Sequence, residues 1–234
     1  MLRPKKKITK KELKQDNLVT AYANTKLYYE RHKKYISYAT TALIVIVVAV
    51  VVFLNNRRAN NEKATTELSK IMSVFDAGNG DVKKYRVAVD GQPERGVMGL
   101  KTIVANYGGT ESGELARFYL ANAYYNLGEI DDALKQFESM SSSNPVIQAS
   151  DFAGIGSCYE SKGDYEKAAV NFEKAANTIS NSFSTPEYLN SAARCYGRAN
   201  QKEKAVTLYK RIKKEYPTST YAREVDRYIA QYSA

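Results

Sequence analysis

Between Ile36 and Leu54 the chain reads ISYATTALIVIVVAVVVFL, a run without a charge, a glycine or a proline. As a helix rising 1.5 Å per residue it spans about 28 Å, close to the hydrocarbon thickness of a bilayer. The run therefore predicts a single transmembrane helix. It divides the chain into a short basic arm and a much larger C-terminal part. Two other readings fit less well. A cleaved signal peptide has a shorter charged start, a shorter apolar core and a small-residue cleavage site, whereas Leu54-Asn55-Asn56-Arg57-Arg58 offers none. A core helix of a soluble protein keeps a polar face, and this run is apolar all round.

Charge sets the expected orientation. The formal net charge is +10, and most of it lies before the span. Residues 1–35 hold eleven Lys or Arg, including Lys5, Lys6, Lys7, Lys33 and Lys34, against Glu12, Asp16 and Glu30. Basic residues beside a first span hold that side in the cytoplasm. The expectation is a cytoplasmic N-terminus and an extracytoplasmic, in a Gram-negative cell periplasmic, C-terminal domain at the inner membrane. Attraction to anionic lipid headgroups accounts for the basic arm without nucleic acid as a partner. From Thr9 to Tyr35 no helix breaker occurs, so a weakly amphipathic helix should run into the span. Tyr28, Tyr29, Tyr35 and Tyr38 then fall near headgroup level. Ser37, Thr40 and Thr41 can bond backward to helix carbonyls.

Beyond the span a pattern recurs with a period near 35. It covers residues 114–147, 149–182 and 186–219. Ala121, Gly156 and Ala193 correspond, as do Tyr124, Tyr159 and Tyr196. Gly128, Gly163 and Asn200 follow, then Ala133, Ala168 and Ala205, then Phe137, Phe172 and Tyr209. Small residues let two helices approach, aromatic residues fill the space between them, and Gly or Asn takes the left-handed turn that ends the first helix. Pro145 and Pro217 are expected to close the first and third repeats. Hairpins of this kind cannot bury their apolar faces alone and stack into a solenoid. The predicted fold is thus all-α: one N-terminal transmembrane helix followed by an α-solenoid. Residues 218–232 read as a capping helix with Ala222, Val225 and Ile229 on one face.

These repeats resemble the tetratricopeptide repeat family, although Asn200-Gln201-Lys202 departs from the usual Gly-Asp-Tyr and spacings of 35 and 37 exceed the usual 34. Residues 55–113 are less regular and read as a linker helix plus a degenerate first hairpin. A helix is expected at Asn60–Asp76 and another at Arg95–Tyr107, stopped by Gly108-Gly109. Residues 77–93 are rich in turn formers, with a short extended piece at Tyr85–Val89. Gly96 and Gly99 are spaced for helix packing. The whole layout, a basic arm, one span, an irregular hairpin and three repeats, resembles the YfgM-like family of ancillary Sec translocon subunits. That resemblance implies Sec subunits and periplasmic chaperones as partners.

Catalysis is not expected. The one histidine, His32, lies in the basic arm, so the C-terminal part has neither a histidine triad nor a histidine metal site. No phosphate-binding loop is present, and no cofactor or metal is implied. Asp131 and Asp132 suit a helix start, where carboxylates complement the dipole. Cys158 and Cys195 hold equivalent places in neighbouring repeats. Packed helices lie about 8–10 Å apart, beyond the 7 Å limit of a disulfide, so both should be buried free thiols.

What remains is a surface. In the resembled family the first helix of each hairpin lines a groove. Its positions carry over to Phe118, Asn122, Tyr125 and Asn126, then to Ala153, Ser157, Glu160 and Ser161, then to Asn190, Arg194 and Arg198. Aromatic, amide and arginine groups suit an extended peptide. A lysine clamp for acidic C-termini is not reproduced, because Phe118 stands where that lysine is expected. Residues 186–234 carry ten basic and five acidic residues, which leans toward acidic partners, with a merely solvated face as the alternative. Three functions remain open: an export scaffold, a structural subunit held by its span, and, least supported, an enzyme.

Overall fold

The computed structural model describes residues 10–76 and 81–233, with side chains from residue 18 onward. The chain forms two compact units, one ending at Asn56 and one beginning at Arg57.

Helix α1 runs unbroken over Lys10–Asp76. No glycine or proline interrupts these 67 residues, so nothing in the backbone stops the helix before Asp76. The arm, the apolar run and the helix expected at Asn60–Asp76 are therefore parts of one element. Residues 1–9 of the expected arm lie outside the described residues. From Leu43 to Leu54 every large apolar side chain is exposed, so this stretch is long and apolar enough to cross a membrane and buries none of that surface in the protein. Thr40 Oγ1 donates back to the Ile36 carbonyl at 2.9 Å, as its place predicts.

The second unit begins with the end of α1. Ala64, Leu68 and Ile71 are buried there, and Leu68 and Ile71 pack with Ala88, Val89, Leu100 and Ile103. The segment expected to be extended is instead helix α2, Val82–Asp90. Asp81 caps it by accepting from Lys83 N–H, and Ala88 and Val89 reach the core from one end of it. A two-residue antiparallel pair follows, β1 (Gly91–Gln92) with β2 (Val97–Met98). Helix α3 starts only at Leu100 and ends at Tyr107, shorter than the sequence suggested. The reason lies in the two glycines. Gly96 turns left-handed at φ 65°. Gly99 presses so closely on the Asp90 and Gly91 backbone that an added Cβ would lie 2.3 Å from the Asp90 carbonyl carbon. They build a tight turn and a close backbone crossing rather than a helix–helix contact.

Three hairpins follow, in the expected register. They are α4 (Glu111–Asn126) with α5 (Ile130–Glu138), α6 (Pro145–Ser161) with α7 (Tyr165–Thr178), and α8 (Ser184–Arg198) with α9 (Lys202–Glu215). Each turn repeats the same bonds. Glu129, Asp164 and Gln201 donate their N–H groups to the Tyr124, Tyr159 and Tyr196 carbonyls, each at 2.9 Å. Gly128, Gly163 and Asn200 hold the left-handed position between, with φ of 77°, 79° and 58°. Pro145 does not close the first repeat. It stands in the first turn of α6, capped by Asn144, because α5 has already ended at Glu138. The connector after α7 folds around Asn181 and buried Thr185. Asn181 Oδ1 accepts from Ser184 N–H at 2.6 Å, and Thr185 Oγ1 donates to the Ile179 carbonyl at 3.1 Å.

Small residues and rings interlock between helices. An added Cβ on Gly154 would meet the Phe137 ring at 2.4 Å, and one on Gly156 would meet the Phe172 ring at 3.0 Å. After the last hairpin, α10 (Val225–Ser233) buries Val225 and stacks Tyr228 on Tyr209 with centroids 5.0 Å apart. Cys158 and Cys195 are buried free thiols. Burial pushes each up to about 12.

A polar ladder across the first helices

The residues carried over from the repeat pattern fall on α4, α6 and α8, and the structure joins several of them from helix to helix. Tyr125 on α4 shares a hydrogen bond with Ser161 on α6, with oxygens 3.2 Å apart. Glu160, one residue earlier on α6, accepts from Arg194 on α8 through both carboxylate oxygens, with Nη2 to Oε2 at 3.0 Å. Arg198 Nη1 lies 3.6 Å from Glu160 Oε1, one turn further along α8. Its guanidinium also sits 5.2 Å from the centre of the Tyr165 ring.

Spacing explains the ladder. Glu160 ends the first helix of its repeat, whereas Arg194 and Arg198 lie four apart on the next first helix and so share a face. One carboxylate meets two guanidinium groups, which leaves the cluster with a net charge of about +1. Glu160 is the most enclosed of the three, its side chain 17% exposed against 42% for Arg194 and 51% for Arg198. A ligand acid arriving here finds Arg198 more open than Arg194.

The other expected residues divide into four groups. Asn122 and Asn126 lie on α4, and each uses one amide N–H on the carbonyl four residues back, at 2.8 Å. Each amide keeps a further donor and its oxygen. Phe118 is not a free contact. It is half-buried, with its centroid 6.2 Å from that of Phe137 and 5.8 Å from that of Tyr119. Tyr119 in turn meets Phe75 from the end of α1 at 5.1 Å, so the second unit's first helix covers part of this end. Ala153 packs toward the core, and Ser157 donates to the Ala153 carbonyl at 3.0 Å. Asn190, one turn before Arg194 on α8, lines a pocket of about 300 Å³ with Thr220, Tyr221, Glu224 and Tyr228.

Tyr165 was missed by sequence reasoning. Its place at the start of α7, one residue after the cap Asp164, is the signal that puts its ring beside the next repeat's first helix.

The stacked hairpins define an α-solenoid of tetratricopeptide-like units. Residues 115–145 and 191–219 match one tetratricopeptide repeat family, and residues 152–179 match a second. Among solved structures the chain is similar to nearly identical TPR-like repeats assigned to a kinesin light chain from Podosopora anserina, at 15% identity and a TM-score of 0.54, covering 74% of this chain and 85% of that one. No protein of curated function matches the chain.

Proposed function

We propose that this protein is a non-enzymatic, membrane-anchored scaffold whose α4–α6–α8 face binds an extended segment of a partner protein. The observation that carries the reading is the partly exposed ladder from Tyr125 and Ser161 through Glu160 to Arg194 and Arg198, which offers donors, acceptors and one spare cation along successive repeats. An extended peptide needs such groups for its backbone at regular intervals. The apolar stretch of α1 is read as the anchor, and the excess of Lys and Arg before it favours a cytoplasmic N-terminus with the repeats on the other side. With the layout resembling YfgM-like proteins, the favoured setting is the Sec translocon exit, with translocon subunits, periplasmic chaperones or emerging chains as partners.

A second reading is a structural subunit held by its span. It is favoured by a shallow apolar hollow on α1 over Ala49, walled by Val45, Val48, Val52 and Phe53, of a kind that another helix can fill.

In-cell photo-crosslinking from Tyr125 and Arg194 separates the two. Crosslinks to Sec subunits, chaperones or nascent chains support the scaffold. Crosslinks confined to one unrelated membrane complex, or found only from the Ala49 face, support the structural subunit. Orientation is read from a cysteine placed near residue 234, since both native thiols are buried. Labelling of intact cells with their inner membrane closed supports the assignment, and labelling only after that membrane is broken reverses it.

A further inference from the structure

Helix α5 has nine residues, whereas α7 and α9 have fourteen each. Where the missing turns would lie, residues 139–144 run without regular structure, and a cleft of about 660 Å³ opens between α5, α6 and α7. Phe137, Ile155 and Phe152 line it, and Val170 on α7 is exposed beside them. On α6 it is also lined by Asp151, whose Oδ1 is sealed from water and has no hydrogen-bond partner. A buried carboxylate oxygen without a donor costs stability, so its presence in a cleft needs a reason. Burial and the neighbouring Glu114 push this carboxyl up to about 7.

The surrounding charges fix the sign of the partner. Glu138 on α5 and Glu166 on α7 join Asp151 around the cleft, but Glu138 already accepts from the Tyr159 hydroxyl at 3.4 Å and Glu166 from the Gln201 amide at 2.9 Å, which leaves Asp151 as the acid without a donor. Glu114 on α4 is already held by Arg117 at 3.3 Å. The cleft's own cations are engaged: Lys167 pairs with Asp164 at 2.8 Å, and Lys174 lies 5.7 Å from the centre of the Phe152 ring. The missing group is a cation. We propose that the cleft docks a peptide segment of a partner protein in which a large apolar side chain stands beside a lysine or arginine. The apolar group packs on Phe152 and Val170 at the open side of the cleft, and the cation pairs with Asp151. This site uses different helix surfaces from the α4–α6–α8 ladder and does not depend on it.

The test uses the full chain in detergent micelles, with a photo-crosslinking side chain at position 170. The probe is a fluorescent peptide, acetyl-Gly-Leu-Phe-Lys-Gly-amide, compared with versions carrying glutamate or norleucine for lysine. The lysine peptide is expected to crosslink at position 170 and to bind more tightly as pH rises from 6 to 8, while Asp151 ionises. The glutamate version should bind about tenfold more weakly or worse. Asp151→Asn should lower affinity for the lysine peptide about tenfold at pH 8 and flatten its pH dependence. Val170→Lys, which keeps the carboxylate, should also weaken binding. Arg194→Ala should leave it unchanged, which separates failure here from failure of the ladder. Equal binding of the lysine, norleucine and glutamate peptides, or full affinity in Asp151→Asn, or no binding at millimolar peptide, overturns the proposal.

Discussion

Arg194 on α8 meets both carboxylate oxygens of Glu160 on α6, so a side chain expected to face a ligand is engaged by the preceding repeat. Because Arg194 is 42% exposed, the pair should contribute no more than about 1 kcal/mol to stability. Its larger effect is on recognition. Glu160→Gln should leave the melting temperature nearly unchanged while raising affinity for acidic peptides several-fold. Arg198→Ala should lower that affinity. Titration of the full chain with a labelled acidic peptide at low and high salt checks both, since the gain should shrink as salt screens it.

Asp151 predicts how stability depends on pH. Its folded-state value, about 7, lies above the ordinary 3.8. The unfolded chain therefore releases this proton first as pH rises. The contribution of Asp151 is harmless below about pH 4 and grows into a penalty between about pH 4 and 7. Above that it stays at about 2 kcal/mol, discounted for the part of the carboxyl still open to solvent. Asp151→Asn should raise the melting temperature at pH 8 and change it little at pH 4. Thermal unfolding followed by circular dichroism at the two pH values reads the difference, and an equal shift at both would contradict the burial of this group.

Two glycines should respond differently to alanine. Gly154 faces the buried Phe137 ring, with the added carbon at 2.4 Å. Overpacking there should outweigh the better helix propensity and cost about 1–2 kcal/mol net. Gly197 meets only the far end of Tyr232 on the last helix, which can swing away. Gly197→Ala should be neutral or slightly stabilising. Urea unfolding midpoints compare them directly.

The left-handed turns can be tested in both directions. A Cβ at Gly163 would touch nothing within 4 Å, so Gly163→Ala isolates the backbone cost, about 1–2 kcal/mol. Asn200 already tolerates φ of 58°, and Asn200→Gly should gain up to about 0.5 kcal/mol.

Buried, with their ionisation pushed up to about 12, Cys158 and Cys195 should resist alkylation in the folded chain at pH 7.5. Iodoacetamide labelling followed by mass spectrometry should modify both only in denaturant. Rapid labelling of either thiol in the native protein would place it elsewhere than the hairpin core.

The repeats were legible because small, aromatic and turn residues recur in register, and each carries a local physical demand. Tyr124, Tyr159 and Tyr196 lend their carbonyls to the same turn bond, so sequence and geometry repeat together. Residues 82–98 were not legible in this way. Turn-forming neighbours masked α2, whose helix depends on the Asp81 cap and on Ala88 and Val89 finding a core supplied by α1 and α3. Pro145 misled because proline suits the first turn of a helix as well as the stretch after one. The ladder was half visible. Its residue types stood in the right places, but that Glu160 occupies Arg194 is a contact between repeats 34 residues apart, and side-chain spacing alone does not reveal it. Asp151 carried no sequence signal, because its oddity comes from the shortness of a different helix.

The apolar interior comes in two clusters, one built from the end of α1 through Phe137 to Cys158, the other from Ala168 to Val225. Half-buried Tyr159 packs against both. Ala153 on α6 also packs on the second cluster and the Phe172 ring lies against Gly156, so a pull on α8 would be shared across the whole α6–α7 hairpin rather than borne by one ring.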